Sequence, residues 1–159
     1  MMKRVLSVLV ENRFGVLSRI AALFAARGFN IESLAVAETE DPTLSRMTIV
    51  VTANERVLEQ VMKQLRRLID VIKVEDITEK PHVDRELVLV KVNAPPSKRG
   101  EIVELTEIFR GKIVDVSPQS LTIEITGAEE KIKGFISLIK SYGIKEIIRT
   151  GKIAIPRGG

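Results

Sequence analysis

The stretch Val5-Leu6-Ser7-Val8-Leu9-Val10-Glu11-Asn12-Arg13-Phe14-Gly15-Val16-Leu17 decides the fold. Its first six residues are a short, nearly continuous apolar run, as a buried central strand requires. Val16, Leu17, Ile20, Leu23 and Phe24 then recur at helical spacing. Arg27-Gly28 predicts the end of that helix, with Gly28 as a left-handed cap. Working outward, Ser33 to Thr39 reads as a strand. Glu40-Asp41-Pro42-Thr43 reads as a turn and Met47 to Val51 as the returning strand. Val57, Leu58, Val61, Leu65 and Leu68 mark a second helix, and Val71 to Ile77 a fourth strand. The order is βαββαβ, the split-βαβ or ferredoxin-like sandwich.

The same order returns in the second half. Glu79-Lys80-Pro81-His82-Val83-Asp84 is polar and carries a helix-breaking proline, so a boundary is placed there. Beyond it come a strand at 86–92, a helix near 98–109, strands at 112–117 and 121–126, a helix near 128–141 and a strand at 145–150. Val5-Leu6 and Val88-Leu89 lie 83 residues apart, as do Arg27-Gly28 and Arg110-Gly111. Thr52-Ala53-Asn54-Glu55 and Thr126-Gly127-Ala128-Glu129, 74 residues apart, both read as T-x-x-E capping boxes. The expectation is an α+β chain of two tandem ferredoxin-like βαββαβ sandwiches, domains 1–80 and 81–159.

Composition narrows the function. The chain is 45% hydrophobic and 29% charged over 159 residues, a soluble globular composition. No apolar run approaches the ~18 residues of a membrane span, and the N-terminal apolar run is too short for a signal peptide. With no cysteine and one histidine, disulfides, thiolate chemistry and multi-histidine metal sites are excluded. The net charge of +4 is spread thinly: 12 basic against 11 acidic residues in 1–80, and 13 against 10 in 81–159. That is a solubility feature and not a nucleic-acid footprint. RNA-recognition modules of this order also need aromatic residues on their central strands. Val5–Val10, Met47–Thr52, Leu87–Val92 and Leu121–Thr126 carry none.

No phosphate-binding or nucleophile-elbow motif is present. His82 lies in the linker and reads as a solvated residue. Glu11, Glu32 and Glu38 read as surface charge. The informative segment is Glu11 to Leu17. Gly15 permits a sharp turn or the close approach of a ligand, and the following helix start offers unpaired amides and a positive dipole end that suit a carboxylate. Asn12 and Asn30 offer donors and acceptors to a small amino acid. The same residues equally suit an N-cap, a turn glycine and a turn asparagine. The 83-residue offset takes Asn12, Gly15 and Asn30 to Pro95, Lys98 and Ile113, so only the first half can host such a ligand. Ser33-Leu34-Ala35-Val36-Ala37, on the expected edge strand, carries no Lys or Pro guard. It either pairs with a second copy of the chain or is covered by the chain's own second half.

These residues resemble a known family. The first half resembles an ACT domain, a regulatory amino-acid-binding module. The whole chain resembles the small regulatory subunit of acetolactate synthase (acetohydroxyacid synthase). The matching stretches are LSVLVENRFGVLSRI (6–20), RGFNIESLAV (27–36), DPTLSRMTI (41–49) and TEIFRGKIVDV (106–116). The resemblance implies a non-catalytic, cytoplasmic protein that binds the large catalytic subunit, raises its activity and makes it sensitive to valine. It implies a homodimer through first-domain sheet edges, with valine at the interface contacting Asn12, Gly15, Val16, Leu17, Asn30 and Ile31. Thiamine diphosphate, Mg and FAD would belong to the large subunit, with no cofactor or metal in this chain. Two alternatives are a free-standing ACT-type amino-acid sensor acting on another enzyme, and an acylphosphatase-like enzyme using Arg13 and Asn30.

Overall fold

The computed structural model describes residues 2–27 and 30–158. Gly28, expected as the left-handed cap, lies outside the described residues. Two compact units emerge, Met1–Val83 with Lys152–Gly159, and Asp84–Gly151.

In the first unit the elements are β1 (Met2–Glu11), α1 (Val16–Ala26), β2 (Ile31–Glu38), β3 (Leu44–Ala53), α2 (Glu55–Arg67) and β4 (Val71–Asp76). They form an antiparallel sheet of order β2-β3-β1-β4. The apolar runs of β1 and β3 take the two central places, where both faces are buried. Residue Leu6 stands opposite Ile49 and Val8 opposite Met47. Onto that face α1 lays Val16, Ile20 and Phe24, and α2 lays Leu58, Val61 and Leu65, all buried in one core. The spacing of three and four residues puts each trio on one helical stripe.

Helix starts differ from the sequence expectation. The cap of α2 is Asn54, whose side chain accepts from Val57 N at 2.8 Å. Thr52 lies in β3 and donates its hydroxyl to Glu32, and α4 has Ala128 at its cap with no side-chain bond. The T-x-x-E pattern is therefore not a capping box in either half. The helices begin at Glu55 and Glu129, which places the cap at the third residue of the motif.

The second unit repeats the frame with β5 (His82–Asn93), α3 (Pro96–Ile108), β6 (Lys112–Val116), β7 (Ser120–Gly127), α4 (Glu129–Ile139) and β8 (Ile144–Arg149), in the order β6-β7-β5-β8. Its own core joins Val88, Val90 and Val92 to Ile102, Ile132 and Phe135. Phe109 meets Phe135 edge to face at 5.4 Å, the arrangement aromatic quadrupoles favour. At the second Arg-Gly stop the left-handed residue is Arg110, with φ 57°. Gly111 is required for another reason: a β-carbon there would stand 3.1 Å from the Glu124 carbonyl oxygen.

One element is absent from the sequence reading. Residues 153–156 form a ninth strand, β9 (Ile153–Pro156), which pairs with β5 and belongs to the first unit. The segment expected to end the second domain thus returns to the first. No helix among the described residues is long and apolar enough to cross a membrane.

Candidate effector site

The site is built where β1 hands over to α1. β1 ends at Glu11, and Asn12 to Gly15 form the connection. Gly15 is the N-cap of α1 in the left-handed region, φ 85°, a conformation that costs any residue with a β-carbon. No side chain caps this helix. Its first ladder bond runs from Arg19 N to Gly15 O at 3.0 Å, so the Leu17 and Ser18 amides precede the ladder. The helix therefore starts with uncapped donors and the positive end of its dipole.

Arg19 adds a full charge there. A β-carbon on Gly15 would lie 3.1 Å from Arg19 Nη1. The guanidinium is held by Asp70, whose Oδ2 accepts from Arg19 Nε at 3.1 Å and also from Nη2. Asp70 is buried, in the turn between α2 and β4, and its backbone oxygen accepts from Glu11 N at 2.8 Å. The α2–β4 turn thereby braces both sides of the β1–α1 loop.

Asn12 fastens the same loop to the β2–β3 hairpin. Its N–H donates to Thr43 O at 2.7 Å, and its Nδ2 donates to Pro42 O at 3.1 Å and to Glu38 Oε1 at 3.2 Å. Its Oδ1 accepts no hydrogen bond among the described residues. The hairpin is stiffened in turn by Asp41, whose carboxylate accepts from the Thr43 hydroxyl at 2.7 Å and from Thr43 N at 2.9 Å. Those two bonds, the hydroxyl's first, hold the Asp41 carboxyl below its ordinary pKa.

Asn12, Gly15, Val16 and Leu17 are brought together as one loop and helix start. Val16 is 4% exposed and belongs to the core, so only its backbone faces the task expected of it. Leu17 is 43% exposed and available to an apolar ligand group. Asn30 and Ile31 lie elsewhere. Ile31 stands opposite Val51, which pairs with Arg4, whereas Glu38 stands opposite Ser45, near the end of β1. The two ends of β2 are about 23 Å apart at strand rise. Within one copy these residues do not meet.

The acidic residues do not assemble into an acid–base pair. Glu11 binds Arg13 Nε at 2.7 Å, Glu32 binds Lys3 Nζ at 3.3 Å, and Glu38 holds Asn12. Arg13 and Asn30 lie at opposite ends of the sheet, so no phosphate site forms from them. Among the described residues no three acidic or histidine side chains cluster as a metal site requires. Arg19 and Asp70 are site residues that the sequence did not single out, while Glu38, read as surface charge, and Pro42, read as a turn residue, enter the site by holding Asn12. Arg19 alone left a signal, as the one charged residue in α1.

The second unit shows the same tie with different chemistry. Ala94 N donates to Gln119 O at 2.8 Å, as Asn12 N does to Thr43 O. The side chain that completes the tie is Arg99, which donates to Ala94 O, to Ser117 O at 2.6 Å and to Pro118 O at 3.0 Å. The α3 start follows Asn93 after two residues, without the four-residue loop of the first unit. A guanidinium bonded to three carbonyls occupies the place of the open loop.

Comparison with known proteins bears on this pair of units. Residues 6–73 match the model of the AHAS small subunit-like ACT domain. Residues 85–158 match the model described as small subunit of acetolactate synthase. The chain is 61% identical to a probable acetolactate synthase small subunit of Archaeoglobus fulgidus, over 99% of this chain and 98% of that one. It is 52% identical to the acetolactate synthase small subunit of Haemophilus influenzae, over 99% and 97% of the two chains. The crystal structure of the acetolactate synthase small subunit of Thermotoga maritima superimposes with a TM-score of 0.90 at 43% identity, covering 100% and 99%. At this identity over their full common length, the chain belongs to the acetolactate synthase small-subunit family, with an ACT domain as its first unit.

Proposed function

We propose that this chain is the regulatory subunit of a cytoplasmic acetolactate synthase. It binds the catalytic large subunit, raises its activity and makes it sensitive to valine. Catalysis, with its thiamine diphosphate, Mg and FAD, belongs to the large subunit. The observation that carries the effector reading is the uncapped start of α1 behind a left-handed Gly15, with Arg19 beside it. Helix-end amides and a neighbouring guanidinium suit the carboxylate of an amino acid.

The separation of Asn12–Leu17 from Asn30–Ile31 supports a shared site. β2 is an edge strand with half-buried Leu34 and 42% exposed Val36. Two such edges paired antiparallel about a two-fold axis place the Ile31 end of one copy against the Glu38 end of the other. Asn30 and Ile31 of one copy then stand beside Asn12, Gly15 and Leu17 of the second. The Asn12 Oδ1 is the acceptor left for an α-ammonium. Leu17 and Ile31 flank an isopropyl group, whose burial is worth about 1.5–3 kcal/mol. A ligand that prefers one arrangement of the two copies shifts their equilibrium.

The test is reconstitution. The chain is mixed with an acetolactate synthase large subunit and acetolactate formation is measured with and without valine. Activity rises on adding the chain and falls on adding valine. An unchanged rate in both arms overturns the reading.

A further inference from the structure

The strand β9 lies on the face of the first sheet turned away from the helices. Val5, Val50 and Ile77 on that face are 4%, 3% and 0% exposed, and Ala154 packs against them. Ala154 N donates to Thr48 Oγ1 at 3.4 Å. Arg157 anchors the far end, its N–H donating to Pro81 O at 2.8 Å and its Nε to His82 O at 3.3 Å. The alternation is that of a strand laid on a surface: Ala154 and Pro156 are half-buried, while Ile153 and Ile155 are 54% and 66% exposed. A small residue at 154 permits the close approach.

The chain passes from one unit to the other twice, at Val83/Asp84 and at Gly151/Lys152. Both passages hold on to the same point of β1. On the first, Ile77 N donates to Val5 O at 3.0 Å and Thr78 Oγ1 accepts from Val5 N at 2.8 Å. On the second, Ala154 packs on the cluster that Val5 forms with Val50 and Ile77. β1 also carries the candidate site at its far end, and β3, which supplies Thr48 and Val50, begins at the hairpin that Asn12 grips.

We infer that β9 is a coupling strap, the segment through which an effector-driven movement of β1 and β3 reaches the second unit. The inference rests on the effector reading above. The C-terminal residues are then a working part of the first unit, and their attachment to Val5, Thr48 and Val50 is what valine binding acts upon.

The test uses the full chain carrying Ala154→Glu, which puts a charge against Val5, Val50 and Ile77, and a second variant ending at Gly151. Valine binding is measured by calorimetry on each chain. Hydrogen exchange of residues 84–151 is measured with and without valine, as is inhibition of the holoenzyme reconstituted with a large subunit. Both variants are expected to bind valine within about twofold of the parent. Both lose the valine-induced change in exchange, and inhibition weakens at least about fivefold, the lower end of ordinary site–site coupling. Should either variant fold and still show the parent's inhibition midpoint and exchange response, the strap is not the coupling element. Loss of valine binding in both variants also overturns it, since β9 would then serve the site itself. If the parent chain binds no valine, the effector reading is what has failed.

Discussion

Gly15 and Arg19 close on one another across the first turn of α1: a β-carbon on Gly15 would stand 3.1 Å from Arg19 Nη1. The relationship gives Gly15 two reasons to be glycine. Its φ of 85° disfavours a side chain, and the space where one would go is beside a guanidinium at an uncapped helix start. A carboxylate grown from that position meets the same donors that an amino acid's carboxylate would use.

Gly15→Asp is therefore expected to abolish valine binding by occupying the site with its own carboxylate, while the chain still folds and activates a large subunit. Gly15→Ala separates strain from occupancy. It sets a β-carbon at φ 85°, destabilises by about 1–2 kcal/mol and, bringing no carboxylate, leaves measurable binding. Calorimetry with valine and thermal unfolding read the two effects. Parent-like valine binding by Gly15→Asp would contradict this placement.

Asn12→Ala removes the donors to Pro42 and Glu38 but keeps the backbone bond to Thr43. The loop's hold on the hairpin weakens at a cost of about 1 kcal/mol, and valine affinity falls through the loss of Oδ1. Asn12→Asp keeps an acceptor yet sets a carboxylate against Glu38 and the Pro42 carbonyl. It is expected to be less stable than the alanine variant, as urea denaturation of the two will show.

The edge strand supplies an oligomeric prediction. Val36→Lys places a charge on the exposed side of β2, where two copies would bring like charges together. Sedimentation should report a dimer for the parent chain and a monomer for the variant, with valine binding lost alongside. A monomeric parent would remove the shared site.

Asp41 yields a pH dependence. Its carboxyl is held below the ordinary value of 3.8 by the Thr43 hydroxyl and amide. A depressed folded-state pKa contributes stability that is present above the unfolded value and is lost as pH falls through the folded one. The hairpin is thus expected to loosen only in acid, below about pH 4. Thr43→Val should raise the Asp41 pKa in an NMR titration and move the loosening to higher pH.

Arg99 offers the matching test in the second unit. Its Nη2 reaches the carbonyls of Ala94, Ser117 and Pro118 while its Nε adds a second bond to Ala94 O, a planar two-nitrogen contact that lysine cannot reproduce. Arg99→Lys should destabilise by about 1–3 kcal/mol, read by chemical denaturation, without changing valine affinity.

Much was legible in the residue order because it depends on neighbours in the chain. Leu58, Val61 and Leu65 make an apolar stripe whatever lies against them, and the run Val5–Val10 makes a central strand because neither face can stay wet. The βαββαβ order, its repetition, the edge position of β2 and the family likeness in ENRFGVL and DPTLSRMTI follow from such local patterns. Tertiary structure alone decided the rest. Asn54 became the α2 cap because the helix starts two residues later than a Thr52 cap would start it, and a motif offset cannot show where a ladder begins. Asn12 spends its amide on Pro42, some thirty residues away. Arg19 finds Asp70 through the packing of α1 and α2. Asn30 and Ile31 lie at the opposite end of the sheet because α1 carries the chain back along it, so that β2 starts there and only its Glu38 end reaches the loop. The strand Ile153–Pro156 is too short to declare itself. Its pattern acquires meaning only when Ala154 meets Val5, Val50 and Ile77. Side-chain periodicity is a property of a segment; a hydrogen-bond partner or a covering surface belongs to the folded whole, where residues distant in the chain become neighbours.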